Sequence, residues 1–372
     1  MNRNKNSEKW LQNRLKEIKF FIKYVKPESI SDVASKVGID PKRVIKLNQN
    51  ENLFLSRKFL LSLINEVIDE IDPRVYPKEG EINLRQSLGR YVGLPSDFTI
   101  VGNGSDQIID LILRSFLRKD DIAVSIAPTY SMYKWSANHL RIKYLEVPLK
   151  EDFSLDVDKI IESSKGKKGI CIICSPNNPT GNQFEIDDIV ALIENFPGIV
   201  LLDEAYVEFS KESLVRLVKK YENLIVTRTF SKAFGLAGVR MGYALSDPKI
   251  STIISEYAQL PYSLNCIALR LSLKVLDIID KFKESIKRLK EERAKLSERL
   301  NTIKGVKAFR SDANFILFTV KKPYEEVFDR LLSKGVLVRK INTVLNLKGC
   351  LRSTVGLPDM NNSFIEALKS IS

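Results

Sequence analysis

The side chains that could do chemistry follow one another in order through the middle of the chain. Gly102-Asn103-Gly104-Ser105-Asp106-Gln107 runs straight into the apolar stretch IIDLILRSFL. Small residues that open onto a helix N-terminus make an anion site from backbone N–H groups and the helix dipole. A plain strand–helix turn fits the same six residues, so this segment carries weight only in company. Thr129-Tyr130 puts an aromatic ring after IAVSIAP, and SPNNPTG, with Asn178, is a rigid turn that presents amide side chains. IVLLDEAY brings Asp203 and Tyr206, and LIVTRTFSKAFGLAGVRMGY brings Thr229, Ser231, Lys232 and Arg240. Each residue alone has an ordinary structural reading. Together they supply an amine for a Schiff base, a carboxylate for a ring nitrogen, an aromatic plate and anion donors. Those are the parts that hold and use pyridoxal phosphate.

Such residues need a scaffold that delivers successive strand ends to one edge. From about residue 99, short β-branched runs (FTIVG, IAVSIA, GICIICS, IVLLDE, LIVTRT, RMGYALS) alternate with helical stretches or loops. That rhythm predicts an α/β fold, a large domain whose mainly parallel sheet is covered by helices on both faces. Ligands of such sheets bind beyond the carboxyl ends of the strands. Within residues 8–23, Leu11, Leu15, Ile18 and Ile22 share one helical face, whose apolar stripe needs a partner surface. Residues 265–303 keep helical periodicity throughout, as one long or two abutting helices. Beyond Gly305 come strands around NFILFTV, VLVR and CLRSTV and helices near 324–333 and 362–371, which predict a smaller α+β domain. The expected division is 1–50 (N-terminal arm and part of the small domain), 51–264 (large cofactor-binding domain) and 265–372 (small C-terminal domain).

Composition narrows the function classes. The 372 residues are 44% hydrophobic and 28% charged, which excludes disordered, collagen-like and mucin-like chains. No apolar run approaches the ~18 residues of a membrane span, and the first residues lack the apolar block of a signal peptide. A cytoplasmic protein with no membrane partner is expected. Lys plus Arg number 59 against 46 Asp plus Glu, a net charge of +13. The two signs are interleaved, as between Lys283 and Arg299, which describes solvated helix faces better than a nucleic-acid-binding stripe. A basic surface would also help to recruit an anionic small substrate. Cys171 and Cys174 form a CxxC within a buried strand, where residues three apart point to opposite faces and can neither pair nor share a metal. Cys266 and Cys350 are isolated, and no metal site is expected. The single histidine, His139, is expected at the surface.

The segments IKLNQNEN, VYPKEG, GNGSDQ, APTYSMY, CSPNNPTG, DEAYVEF, RTFSKAFGLAGVRMGY, SDANFILF and GCLRSTVG make the sequence resemble the fold-type I pyridoxal-phosphate aminotransferases. Within them it is similar to the histidinol-phosphate aminotransferase branch, from about Tyr24 to the C-terminus. The resemblance implies transamination of histidinol phosphate with 2-oxoglutarate to imidazole-acetol phosphate and glutamate, in histidine biosynthesis. It implies that Lys232 binds the cofactor covalently and then, once freed, carries a proton between substrate and cofactor carbons. Asp203 would pair with the pyridinium nitrogen, Tyr206 and Asn178 with the phenolic oxygen, and Tyr130 would stack on the ring. Ser105, Asp106, Thr229, Ser231 and Arg240 would hold the cofactor phosphate, and Tyr76 would reach the phosphate of a neighbouring subunit, so a homodimer with composite sites is implied. Arg339, Arg352, Tyr24 and Asn50 fall at substrate-binding positions, and two guanidinium groups suit a phosphate dianion.

The sequence departs from the family where Asn50-Glu51-Asn52 is followed by Leu53 in place of Pro, and where Val75 replaces an Arg before Tyr76. The segment around Tyr24 also lacks the usual Pro-Gly turn. Two alternatives stay open, an aromatic amino-acid aminotransferase and the threonine-phosphate decarboxylase of cobalamin synthesis. The latter generally carries Thr where this chain has Ser231.

Overall fold

A computed structural model describes residues 5–26 and 28–371. The chain opens with α1 (Lys5–Lys19) and α2 (Ile30–Val37). A reciprocal cap starts α2: the Asp32 N–H donates to Ser29 Oγ and the Ser29 N–H to the Asp32 carboxylate. A two-residue strand, β1 (Ile45–Lys46), precedes α3 (Arg57–Ile68) and α4 (Lys78–Val92).

The alternating region then builds the main sheet. It runs β2 (Thr99–Gly102), α5 (Gly104–Phe116), β3 (Ile122–Ala127), α6 (Met132–His139), β4 (Lys143–Pro148) and α7 (Val157–Ser163). It continues with β5 (Gly169–Cys174), α8 (Ile186–Asn195), β6 (Gly198–Asp203), β7 (Leu224–Thr229) and β8 (Gly242–Ser246). These seven strands stand in the order β2-β8-β7-β6-β5-β3-β4. Strands β3 to β7 pair in parallel, and only β8 runs against both of its neighbours. The expected mainly parallel sheet is therefore present. Residues of β2, β5, β7 and β8 are buried at every position, as a sheet covered on both faces requires.

After α9 (Pro248–Ile253), the helical stretch proves to be two abutting helices, α10 (Cys266–Asp277) and α11 (Ile279–Asn301). Ile278 breaks them apart at φ −113° and ψ 30°. The rest comprises β9 (Val306–Ala308), β10 (Phe315–Val320), α12 (Tyr324–Ser333), β11 (Val336–Leu337), β12 (Arg339–Val344), β13 (Leu347–Thr354) and α13 (Pro358–Lys369). Four of these strands form an antiparallel sheet in the order β12-β13-β10-β9. Strand β11 instead pairs in parallel with β1, which ties the N-terminal segment to the C-terminal third.

Several expectations need correction. Helix α1 stops at Lys19, because the chain turns there to pack against α6. Ile22 lies outside the helix, and its N–H donates to Asn138 Oδ1 at 2.8 Å. Leu11, Leu15 and Ile18 stay exposed. Helix α13 starts earlier than 362, at Pro358, whose fixed φ suits a first helical position. Strand β4 was not among the expected strands, since at the sheet edge only Val147 of its six residues is buried. His139 is half-buried, not a surface residue: its ring stacks on Trp135 at 3.8 Å and lies 4.8 Å from Phe21. Cys171 and Cys174 are both buried and unpaired, and burial pushes the Cys171 thiol up to about 12.

Candidate active site

The carboxyl ends of the parallel strands and the start of β8 share one edge of the sheet. They open into a cleft of about 530 Å³ walled on the other side by β12, β13 and the segment Asn48–Glu51. Of the site residues expected from sequence, Ser105, Asp106, Tyr130, Asn178, Asp203, Tyr206, Thr229, Ser231, Lys232 and Arg240 line it. Tyr24, Asn50, Arg339 and Arg352 line it as well. Tyr76 does not. It sits on the surface, 75% exposed, with its ring stacked on Tyr262 at 4.7 Å.

Asp203 ends β6 at the floor of the cleft. Tyr133 Oη donates to its Oδ2 at 2.6 Å, and Thr227 Oγ1 and the Ala205 N–H donate to Oδ1 at 3.1 and 3.2 Å. All three donors are neutral. Burial pushes the Asp203 carboxyl up to about 6 against the pull of these hydrogen bonds. A buried carboxylate held this way suits a cationic partner arriving from the cleft.

Lys232 follows β7. Its Nζ donates to Gln49 O at 3.3 Å and lies 5.7 Å from the centre of the Tyr206 ring. Burial, reinforced by the nearby Arg352 charge, lowers its amine to about 8, so a reactive neutral fraction exists near neutral pH. Tyr206 Oη accepts from Asn50 Nδ2 at 3.1 Å and from Asn178 Nδ2 at 3.5 Å.

One end of the cleft is built by the start of α5 and by Arg240, two residues ahead of β8. Asn103, at the N-cap of α5, makes no side-chain cap, so the first-turn N–H groups are left to a ligand. Gly104 has φ +80°, and a Cβ there would lie 2.6 Å from Arg240 Nη2. Arg240 therefore closes over a space that only glycine leaves open, 3.3 Å from Asp106 Oδ2 and 3.5 Å from Ser231 Oγ. Tyr130 Oη also donates to Asp106, at 3.1 Å.

On the opposite wall, Arg339 and Arg352 are direct cross-strand partners on β12 and β13. Arg352 donates to Asn178 Oδ1 at 2.5 Å and to Asn48 O at 3.0 Å, while its buried Nε has no partner. Burial and the adjoining Arg339 lower its guanidinium to about 10, against the opposing pull of Tyr206. Glu51 lines the same wall, paired with Lys46. Sequence reasoning missed Tyr133 and Thr227, the two side chains that hold Asp203. Tyr133 had a signal, since it stands three residues after Tyr130 and so falls near it at the start of a helix.

Residues 42–368 match the aminotransferase class I and II family. The chain belongs to that family. This aminotransferase is 38% identical over 327 residues to the histidinol-phosphate aminotransferase of Caldanaerobacter subterraneus subsp. tengcongensis, covering 88% of this chain and 92% of that one. It is 35% identical over 361 residues to that of Methanosarcina barkeri, covering 95% and 96%. Its fold superposes with a TM-score of 0.83, at 22% identity, on Sinorhizobium meliloti histidinol-phosphate aminotransferase in complex with pyridoxal-5'-phosphate, over 94% and 95% of the two chains. No described helix of this aminotransferase is long and apolar enough to cross a membrane.

Proposed function

We propose that this aminotransferase uses pyridoxal phosphate to move the amino group of histidinol phosphate to 2-oxoglutarate, giving imidazole-acetol phosphate and glutamate. It would act in the cytoplasm in histidine biosynthesis, as a homodimer to which each partner lends Tyr76. Residues 51–264 would bind the cofactor, and 1–50 with 265–372 would close over the substrate. The cleft fits that cofactor on two counts. Glycine at 104 lets the Arg240 guanidinium come down over the first turn of α5, a cation suited to a phosphate, and the buried Asp203, held by neutral donors, calls for a pyridinium. Bound pyridoxal phosphate supplies the electron sink for breaking a C–H bond at the carbon that bears the amino group.

The chain's own residues do the rest. Asp203 keeps a ring nitrogen charged, and Tyr133 and Thr227 keep Asp203 in place. Lys232, neutral in part at physiological pH, would hold the cofactor through Nζ and, once free, would take and return the proton at the substrate carbon. Tyr206, held by Asn50 and Asn178, offers its hydroxyl to the phenolic oxygen. Ser105, Asp106, Thr229, Ser231 and Arg240 would hold the phosphate, and Tyr130 would stack on the ring.

One observation carries the substrate reading. Arg339 and Arg352 are opposite each other on neighbouring strands and line the cleft together with Tyr24, so two cations share that wall. A phosphate monoester dianion answers that charge, and glutamate can reuse the site through its side-chain carboxylate. Removing one such partner should cost about 2–4 kcal/mol, roughly 30- to 1,000-fold. Arg339→Gln should therefore weaken kcat/KM for histidinol phosphate far more than for phenylalanine and leave the cofactor spectrum unchanged. Equal losses would remove Arg339 from the phosphate site. A wild-type preference for phenylalanine would favour an aromatic aminotransferase, and carbon dioxide release from threonine phosphate would favour the decarboxylase.

A further inference from the structure

The last residues of β6 and β7 carry two side-chain pairs, one on each face of the sheet. Asp203 and Thr227 are register partners and meet in the cleft at 3.1 Å. Side chains alternate along a strand, so the next residue on each, Glu204 and Arg228, turns to the far face. There the Arg228 Nε–H donates to Glu204 Oε2 at 2.9 Å, while Nη2 lies 2.8 Å from the same oxygen and donates to Ser213 Oγ. The Glu204 N–H also donates to Thr227 O at 2.8 Å, so ladder and ion pair join the same two strand ends. Glu204 Oε1 accepts the Leu214 N–H at 2.8 Å, and Ser213 donates to Oε2 at 2.7 Å. Both charged side chains are almost wholly enclosed, 2% and 6% exposed. Neither lines the cleft.

A buried ion pair adds little net stability, because the loss of hydration offsets the attraction. What a guanidinium fork does add is direction. One N–H fixed on the carboxylate oxygen, and a second in the same plane fixed on the Ser213 hydroxyl that itself donates to that oxygen, admit a narrow range of twist between the strands that carry them. Glu208 lies close to the same guanidinium, and burial pushes its carboxyl up to about 7. Glu204 is the carboxylate in direct contact with Arg228, and Tyr243 and Tyr91 border the cluster. We propose that Glu204 and Arg228 are a positioning pair, which fixes the twist of the β6 and β7 ends and so aims Asp203, held by Thr227, at the ring nitrogen of the cofactor. The proposal rests on the pyridoxal phosphate reading. It assigns work to two residues that touch neither cofactor nor substrate.

The test separates aim from stability. Glu204→Gln leaves Arg228 buried without a counter-charge and is expected to lower the stability of the apoenzyme. The double variant Glu204→Gln/Arg228→Met removes both charges, keeps an amide oxygen for the Leu214 N–H and fills the stem volume, so it should unfold within a few degrees of wild type. Titrating that apoenzyme with pyridoxal phosphate should give a dissociation constant about 10- to 100-fold higher, the usual scale for a lost outer support. Its kcat with glutamate should fall by a similar factor while KM stays within about twofold. In an Asp203→Asn background the same two changes should alter affinity by less than about twofold, because the pair acts through Asp203. Wild-type affinity in the double variant, an equal loss in the Asp203→Asn background, or an apoenzyme that does not fold would each overturn the assignment. A wild-type chain that binds no pyridoxal phosphate would overturn the cofactor reading itself, which the wild-type arm reports separately.

Discussion

Two buried ionisable groups at the centre of the cleft are held away from their ordinary states in opposite senses. Lys232 is pulled towards neutrality and Asp203 towards protonation, both chiefly by burial. Each is out of place until a ligand arrives that wants a neutral amine and a carboxylate at those points. Lys232→Ala should accordingly abolish the visible absorbance of the covalently held cofactor and lower turnover by several orders of magnitude. A variant that kept both would refute the role of the lysine. Asp203 gives a prediction with a sign. Its carboxyl titrates near 6 when folded against an ordinary 3.8, so the folded apoenzyme holds the proton more tightly and loses stability as pH rises through that window. The gap corresponds to about 3 kcal/mol at pH 8 and nothing below about pH 4. Asp203→Asn, neutral at every pH, should leave apoenzyme melting unchanged at pH 4 and raise it by a few degrees at pH 8. The same change should weaken pyridoxal phosphate binding. Calorimetry of the apoenzyme at the two pH values checks the first half, and a variant less stable than wild type at pH 8 would contradict it.

At the scale of elements, the site depends on which strand ends share an edge, and the sequence tells only part of this. The parallel strands were legible because β-branched runs alternate with helices, and the polar residues after each run marked the edge. The direction of β8 was not legible, since a strand's own pattern is the same whichever way it runs. Yet that reversal is what places Arg240, two residues ahead of Gly242, beside the first turn of α5. The edge strand β4 escaped notice because only one of its residues is buried. Thr227 is not legible because its partner is set by the pairing of β6 with β7, and the spacing of Tyr133 from Tyr130 marks its neighbourhood but not its contact with Asp203, which packing of α6 on the sheet decides. In the sequence, the glycines of the turn from β2 into α5 fit an anion site and a plain turn equally. The structure distinguishes them, because a Cβ on Gly104 would meet the Arg240 guanidinium at 2.6 Å on a backbone already at φ +80°. Gly104→Ala should then strain the turn, displace Arg240 and raise the pyridoxal phosphate dissociation constant by about tenfold or more. The mixture of backbone strain and lost contact predicts a fall in apoenzyme melting as well, measurable in the same titration series.

The whole molecule poses a problem of surface. Tyr257 and Leu260 are 81% and 75% exposed, and Tyr76 stacks on Tyr262 beside them in the chain's fold. Val75 is exposed too, and Leu11, Leu15 and Ile18 of α1 stay exposed among the described residues. A monomer seldom leaves apolar surface of this extent in water, and the place of Tyr76 within it gives the surface a purpose. A second copy that covers it would bury the loops and bring each Tyr76 to the other copy's cleft. The contact should total more than ~2,000 Å² for an obligate pair, and dilution to nanomolar concentration should leave the dimer intact. Composite sites give a sharper expectation than size alone. Tyr76→Phe subunits should bind pyridoxal phosphate weakly, and Lys232→Ala subunits should be inactive. When equal amounts are unfolded and refolded together, half of the dimers are mixed, and each mixed dimer has one cleft with both residues intact. About a quarter of all clefts are then restored, by the symmetry of a two-fold pair. Activity that rises to that level on mixing supports a shared site. Activity that never exceeds the average of the two separate samples would place Tyr76 outside the cleft of either copy.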